Sequence, residues 1–181
     1  LVLLLVIMRD TTIEMVVRSE TDPLSGLLNR RGFARYAEKS VLYAQRNKLP
    51  LALVSIDLDR FKAINDGFGH AAGDMVIADF ADVLATSVKG NDLVARMGGE
   101  EFAILLPGRS AAEARSIAES IRKSIPELLP QRLDLEMPVT ASFGVAELAE
   151  TDELADLSRR SDQALYEAKA TGRDRISIVY Q

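Results

Sequence analysis

The sequence predicts an α/β domain of the α+β kind, with helices packed on one central, mainly antiparallel sheet. Three observations predict it. Segments with apolar residues at helical spacing alternate with short apolar runs of strand length. The Gly98-Gly99 pair sits between two such runs, as glycines do in a hairpin. The order helix, strand, helix, hairpin, helix, strand, helix, strand lets the first strand and the hairpin lie side by side. At 181 residues and 48% hydrophobic composition, the chain can bury one full core but is short for two. Residues 1–20 therefore read as a leader and linker, and residues 21–181 as the domain.

The leader, Leu1 to Met8, is the uncharged run LVLLLVIM, followed by Arg9 and Asp10. It is too short to span a bilayer. It reads either as the cut end of a longer membrane helix, with Arg9 where a cytoplasmic flank begins, or as a last strand of an upstream sensor or the start of a core-packed helix. Thr11 to Thr21 is a linker that Asp22-Pro23 stops, because proline disfavours helix at the residue before it. Asn29 is the expected N-cap of a helix whose apolar positions Phe33, Tyr36, Ala37, Val41 and Ala44 run up to Pro50. Leu51 to Ile56 is continuously apolar, as in a strand buried on both faces. Ile77, Ala81, Leu84 and Val88 line one face of a helix ending near Gly90. Leu93 to Met97 and Glu101 to Leu106 form the hairpin arms. Ala114, Ile117, Ala118, Ile121 and Ile125 mark the next helix, and a looser stretch follows through Pro130. Val139 to Val145 is a strand. Leu154, Leu157, Ala164, Leu165 and Ala168 mark a final helix closed by Gly172, and Ile176 to Tyr180 alternates as an edge strand.

Composition excludes several chemistries. A net charge of −5 leaves no basic excess for a nucleic-acid backbone, so nucleic acid is not an expected partner. With no cysteine there is no disulfide, thiol nucleophile or cysteine-bound zinc, and a single histidine, His70, cannot build a multi-histidine metal centre. Metal chemistry here has to use carboxylates.

Two acidic pairs stand out. In Ser55-Ile56-Asp57-Leu58-Asp59 a buried strand ends in two carboxylates one residue apart, which alternation puts on one face. In Gly98-Gly99-Glu100-Glu101 a glycine hairpin carries two more. If the hairpin pairs beside the first strand, Asp57 and Glu100 converge. Clustered carboxylates repel unless a cation neutralises them, and magnesium takes oxygen ligands together with substrate phosphates. A turn without side chains lets a nucleotide approach the backbone. The combination points to metal-assisted phosphoryl or nucleotidyl transfer. Singly, each piece has a plainer reading: Asp57 and Asp59 as solvated turn residues, Gly98-Gly99 as an ordinary hairpin, and Asn65 to His70 as a polar loop.

The chain resembles the GGDEF family of diguanylate cyclases. The resemblance is carried by TDPLSGLLNRRGF from Thr21, SIDLDRFKAINDGFGHAAGD from Ser55, RMGGEEF from Arg96, ASFGVA from Ala141 and SDQALYEAKATGRDRI from Ser161, in the family's order. Glu100 stands where the family name has Asp, a variant that keeps the carboxylate. The resemblance implies a palm-like, ferredoxin-like nucleotidyl cyclase domain that condenses two GTP into cyclic di-GMP at a homodimer interface. It implies two magnesium ions per site, replaceable by manganese, held by Asp57, Glu100 and the carbonyl of Leu58. Lys62, Lys169 and Arg173 are implied at the GTP phosphates, Asn65 and Asp74 at guanine, and Gly98 and Gly99 at the turn the nucleotide approaches. Asp74 suits guanine, whose Watson–Crick edge offers adjacent N–H donors to a carboxylate. Glu101 falls beside the phosphates or metals as a fourth catalytic position with Asp57, Lys62 and Glu100, and Asp59 falls to the structure.

The resemblance further implies a cytoplasmic domain in a bacterial cell, attached to the membrane through its leader if at all, and controlled from upstream. Two alternatives stay open: a cyclase making a 3′,5′-cyclic mononucleotide, and a catalytically silent receptor for GTP or cyclic di-GMP. One departure bears on regulation. Many members carry an inhibitory product site, Arg-x-x-Asp, ending five residues before the glycine pair. Here the segment is Lys89-Gly90-Asn91-Asp92, and Ser120 stands where some members supply a second arginine. An ammonium cannot reproduce the planar fork of a guanidinium, so Lys89 and Asp92 read as a degenerate site or a polar turn.

Overall fold

The structure is a computed structural model and describes residues 20–133 and 138–179. In chain order its elements are β1 (Leu28–Asn29), α1 (Arg30–Asn47), β2 (Leu51–Leu58), α2 (Phe61–Phe68), α3 (His70–Ser87), β3 (Leu93–Gly98), β4 (Glu101–Pro107), α4 (Ala111–Leu133), β5 (Ala141–Glu147), α5 (Leu154–Ala170) and β6 (Ile176–Val179). One six-stranded sheet has the order β1-β3-β4-β2-β5-β6. Its centre is antiparallel, β3 with β4 and β2 with both β4 and β5, while β1 on β3 and β6 on β5 are parallel.

β2 is buried at all eight positions because strands flank it on both edges and helices cover both faces. Its alternation sorts the core into two layers. Ala52, Val54, Ile56 and Leu58 pack with Phe61, Ile64, Phe80, Leu84, Ile121 and Ile125 from α2, α3 and α4. Leu51 and Leu53 pack with Phe33, Ala37 and Val41 of α1 and with Leu157 of α5. α1 starts where expected, since the Asn29 side chain accepts the Gly32 N–H at 2.9 Å, one of the orphan donors of a helix start.

β2, the first of the strands the sequence predicts, lies beside the hairpin as expected, with Ile56 opposite Phe102 and Asp57 opposite Glu101. Other expectations are corrected. α1 stops at Asn47 with Lys48 left-handed (φ 51°), short of Pro50. The polar stretch Asn65 to Gly69 is mostly helix: α2 and α3 are separate helices broken at Gly69, whose φ of 84° lies outside the helical region. The looser stretch before Pro130 is the second half of α4, which runs across Pro126 and Pro130. β1 was not expected. Tyr180 and residues 1–19, and with them the leader and most of the linker, lie outside the described residues. Among the described residues no helix is long and apolar enough to cross a membrane.

Candidate active site

The face of β2 that carries Leu51 and Leu53 turns polar toward its C-terminal end, where Ser55 and Asp57 follow. α5 crosses there. Ser55 Oγ lies 2.8 Å from Ser161 Oγ and donates to Asp162 Oδ1 at 2.7 Å, and Lys169 Nζ sits 2.7 Å from Asp57 Oδ2. Asp57 is 7% exposed. Burial pushes its carboxyl above the ordinary aspartate value, the Lys169 ammonium opposes, and the charges of Glu100 and Glu101 push it further up.

The glycine hairpin brings those two acids in. Gly98 and Gly99 have φ of 147° and 51°, and the register slips between Arg96 and Gly98, so the turn takes a shape that residues with side chains resist. Leu58 N–H donates to the carbonyl of Glu100 at 3.2 Å, which ties the strand end to the hairpin tip. Asp57, Leu58, Glu100, Glu101 and Lys169 are thus neighbours, although Asp57 and Lys169 are far apart in sequence. Among the described residues no three His, Cys, Asp or Glu side chains form a cage for a metal. The donor set nevertheless fits a hard cation: it is all oxygen, its buried acid is already met by an ammonium, and magnesium completes its shell with phosphate and water.

Asn65 lies at a second place, against the residue that precedes Asp74. A Cβ on Gly73 would stand 1.9 Å from Asn65 Oδ1, so the amide lies directly on Gly73, beside Asp74. Lys62 is exposed one turn before Asn65 on α2, on the same side of the helix. Arg173 lies in the turn after α5. A cleft of about 510 Å³ lies between α1 and α5 and is lined by Arg30, Glu101, Tyr166 and Lys169, but not by Asn65 or Asp74.

Several contributors have no role assigned by the sequence. Arg96 Nε donates to the Gly99 carbonyl at 2.9 Å while its Nη1 reaches Asp22 at 3.1 Å, and Arg30 Nε donates to the Met97 carbonyl at 3.0 Å. Two guanidiniums therefore hold the carbonyls of the glycine turn. Their sequence signal was adjacency: Arg96 precedes the turn, and Asp22 and Arg30 lie within the first motif. Asp59 does not face the cluster but accepts hydrogen bonds from Thr140 and Ser142 hydroxyls. In the Lys89–Asp92 segment the Lys89 N–H donates to Asp92 Oδ2 at 3.1 Å, and Gly90 has φ 67°, which is a closed polar turn.

The family described as "Diguanylate cyclase, GGDEF domain" matches residues 19–175. Diguanylate cyclase VdcA of Vibrio cholerae is 41% identical over 158 residues, 86% of this chain and 45% of the relative. Diguanylate cyclase DgcP of Pseudomonas aeruginosa is 38% identical over 159 residues, 88% of this chain and 24% of the relative. The chain thus spans less than half the length of these two relatives. Among solved structures, the coiled coil and GGDEF domain of DgcB from Caulobacter crescentus, in complex with c-di-GMP, superposes with TM-score 0.88 at 27% identity, covering 95% of this chain and 92% of that one. The active GGEEF domain of a diguanylate cyclase from Vibrio cholerae superposes with TM-score 0.79 at 38% identity, covering 86% of this chain and 99% of that one. A mixed sheet with Asp57 at its central strand end, beside a Gly-Gly-Glu-Glu hairpin, and a family match across most of the chain make one assignment: the chain belongs to the GGDEF domain family of diguanylate cyclases.

Proposed function

We propose that this domain condenses two GTP molecules into cyclic di-GMP and two pyrophosphates, each subunit of a homodimer presenting one GTP. The observation that carries the reading is the buried Asp57 beside Glu100 and Glu101, with Lys169 on it. Asp57, Glu100 and the Leu58 carbonyl would hold magnesium, or manganese in its place. When bound, the metal would offset charge on the attacking and departing oxygens. Lys62, Lys169 and Arg173 would take the triphosphate, since ammonium and guanidinium groups are charge-assisted donors to phosphate oxygen. Asn65 and Asp74 would read guanine, the Asp74 carboxylate accepting from its adjacent N–H groups.

The 3′-hydroxyl of one GTP then attacks the α-phosphorus of the other. A new P–O bond forms, the bond to pyrophosphate breaks, and the hydroxyl proton leaves to solvent. The same step repeated in the opposite sense closes the ring. The residues act by positioning and by charge, and no side chain forms a covalent intermediate. Support for Glu100 in the Asp position of the family name comes from the Vibrio cholerae neighbour, described as an active GGEEF domain. Control from a region upstream of Thr21, and a place on the cytoplasmic side of a membrane, belong to the same proposal.

The test is incubation of the purified domain with GTP and magnesium, followed by product identification by mass. Cyclic di-GMP with two equivalents of pyrophosphate is expected. 3′,5′-cyclic GMP would make it a mononucleotide cyclase. Binding of GTP with no product at concentrations where the protein is dimeric would make it a silent receptor.

A further inference from the structure

The turn that carries Arg173 is strained. Gly172, Arg173 and Asp174 have φ of 133°, 63° and 43°, so two successive residues with side chains occupy the left-handed region. Such residues persist only where neighbours over-determine them. On the helix side the Arg173 N–H donates to the Ala168 carbonyl at 3.0 Å. On the sheet side the Asp174 N–H donates to Asp59 Oδ2 at 2.9 Å, and Arg122 Nη1 lies 2.8 Å from Asp174 Oδ1. Arg122 is itself oriented by two hydrogen bonds to Glu119, at 3.0 and 2.9 Å.

Asp59 is 6% exposed and belongs to no ion pair among the described residues. Its carboxylate is met by neutral donors: around the start of β5, Thr140 Oγ1 at 2.8 Å and Ser142 Oγ at 2.7 Å, besides the Asp174 N–H. Its own N–H donates to the Thr140 carbonyl at 2.8 Å. A buried carboxylate is costly unless fully hydrogen-bonded, and this one is bonded to the backbone of a strained turn. It lies two residues from Asp57, so the metal end and the phosphate end of the site share one anchor.

We propose that Asp59 and Arg122 are positioning residues that lock the Gly172–Asp174 turn and so present Arg173 to the nucleotide phosphates. The proposal rests on the reading of Arg173 as a phosphate-holding residue. Without the lock the turn relaxes and Arg173 has to be ordered when nucleotide binds, which lowers affinity by about tenfold. Asparagine should substitute for Asp59: its carbonyl can serve Thr140 and the Asp174 N–H, while its NH₂ faces the Ser142 hydroxyl, which can rotate to accept. Alanine should not.

The experiment is calorimetry with the α,β-methylene analogue of GTP, which cannot transfer its α-phosphoryl group, and with guanosine, which carries no phosphate, on protein whose melting temperature is checked. Asp59→Ala and Arg122→Ala should each weaken the analogue by about tenfold while leaving guanosine unchanged, and Asp59→Asn should restore parental binding. In an Arg173→Ala background, Asp59→Ala should add no further loss. Multiplying losses, equal losses for the analogue and guanosine, or unchanged binding in a folded Asp59→Ala or Arg122→Ala protein would overturn the lock while Arg173 kept its role. Unchanged analogue binding in Arg173→Ala itself would instead overturn the phosphate reading of Arg173. Should Asp59→Ala fail to fold, Arg122→Ala alone carries the test, since the Arg122 side chain is partly exposed on α4 rather than part of the core.

Discussion

Replacing Gly144 by alanine would place a methyl carbon 2.1 Å from both the Leu165 nitrogen and the Ser161 carbonyl oxygen, and 2.7 Å from the Leu165 Cα. Ordinary contact begins near 3.4 Å, so relief needs a separation of about 1.3 Å. All three obstacles are backbone in the middle of α5, which cannot yield singly, and the helix has to retreat from β5 as a body. Overpacking costs about 1–3 kcal/mol, and rigid backbone on both sides puts this case at the upper end. For a chain of this size each kcal/mol lowers the melting temperature by about 2–4 °C, so a drop of about 6–12 °C is expected. The same retreat draws Lys169 off Asp57, which it meets at 2.7 Å, so cyclase activity should fall as well. Thermal denaturation followed by circular dichroism measures the first effect and product formation the second. Gly67→Ala is the control, because a Cβ there meets nothing within 4 Å and alanine in a helix is favourable. A Gly144→Ala melting temperature within 2 °C of the parent, roughly the shift of less than 1 kcal/mol, would refute the close-approach argument.

Glu100→Gln should leave the fold intact and lower cyclic di-GMP formation by about 10²–10³-fold, since it removes one electrostatic partner of the transition state; near-parental turnover would move the metal site elsewhere. Product inhibition should be weak, because Lys89 lacks a guanidinium and Asp92 already caps its own turn. Initial rates measured with added cyclic di-GMP would contradict this if they showed tight noncompetitive inhibition that Asp92→Ala relieves. Asp152 is held below the ordinary aspartate value, chiefly by its hydrogen bonds from Arg160. A lowered folded-state pKa means stability present above the unfolded value and lost as pH falls through the folded one. Asp152→Asn should therefore lower the melting temperature at pH 7, and the gap to the parent should close below about pH 4; a gap independent of pH would show that the ion pair does not stabilise the fold.

Much of this domain is written in local pattern. The Gly98-Gly99 turn announces a hairpin because positive φ demands glycine, the apolar run from Leu51 announces a strand covered on both faces, and Asn29 announces the start of α1. Asp57 and Glu100 were legible for the same reason: a buried strand ending in acid and a glycine turn followed by acid are both short-range signals. Local pattern fails where a contact outside the segment decides. The break between α2 and α3 depends on Gly69 leaving the helical region in a stretch whose composition suits a loop. β1 exists only because Leu28 and Asn29 find Ala95 and Arg96 to pair with.

Tertiary structure alone decided which groups each acid meets. Alternation puts Asp57 and Asp59 on one face, yet Asp57 meets Lys169 from the far end of α5 while Asp59 is closed off by Thr140, Ser142 and Asp174, which lie 81, 83 and 115 residues away in sequence. Residue type states that a carboxylate needs donors or a cation. The donors come from segments that only the packing of β5 and α5 against β2 brings within hydrogen-bonding distance, so a local sequence pattern holds no record of them.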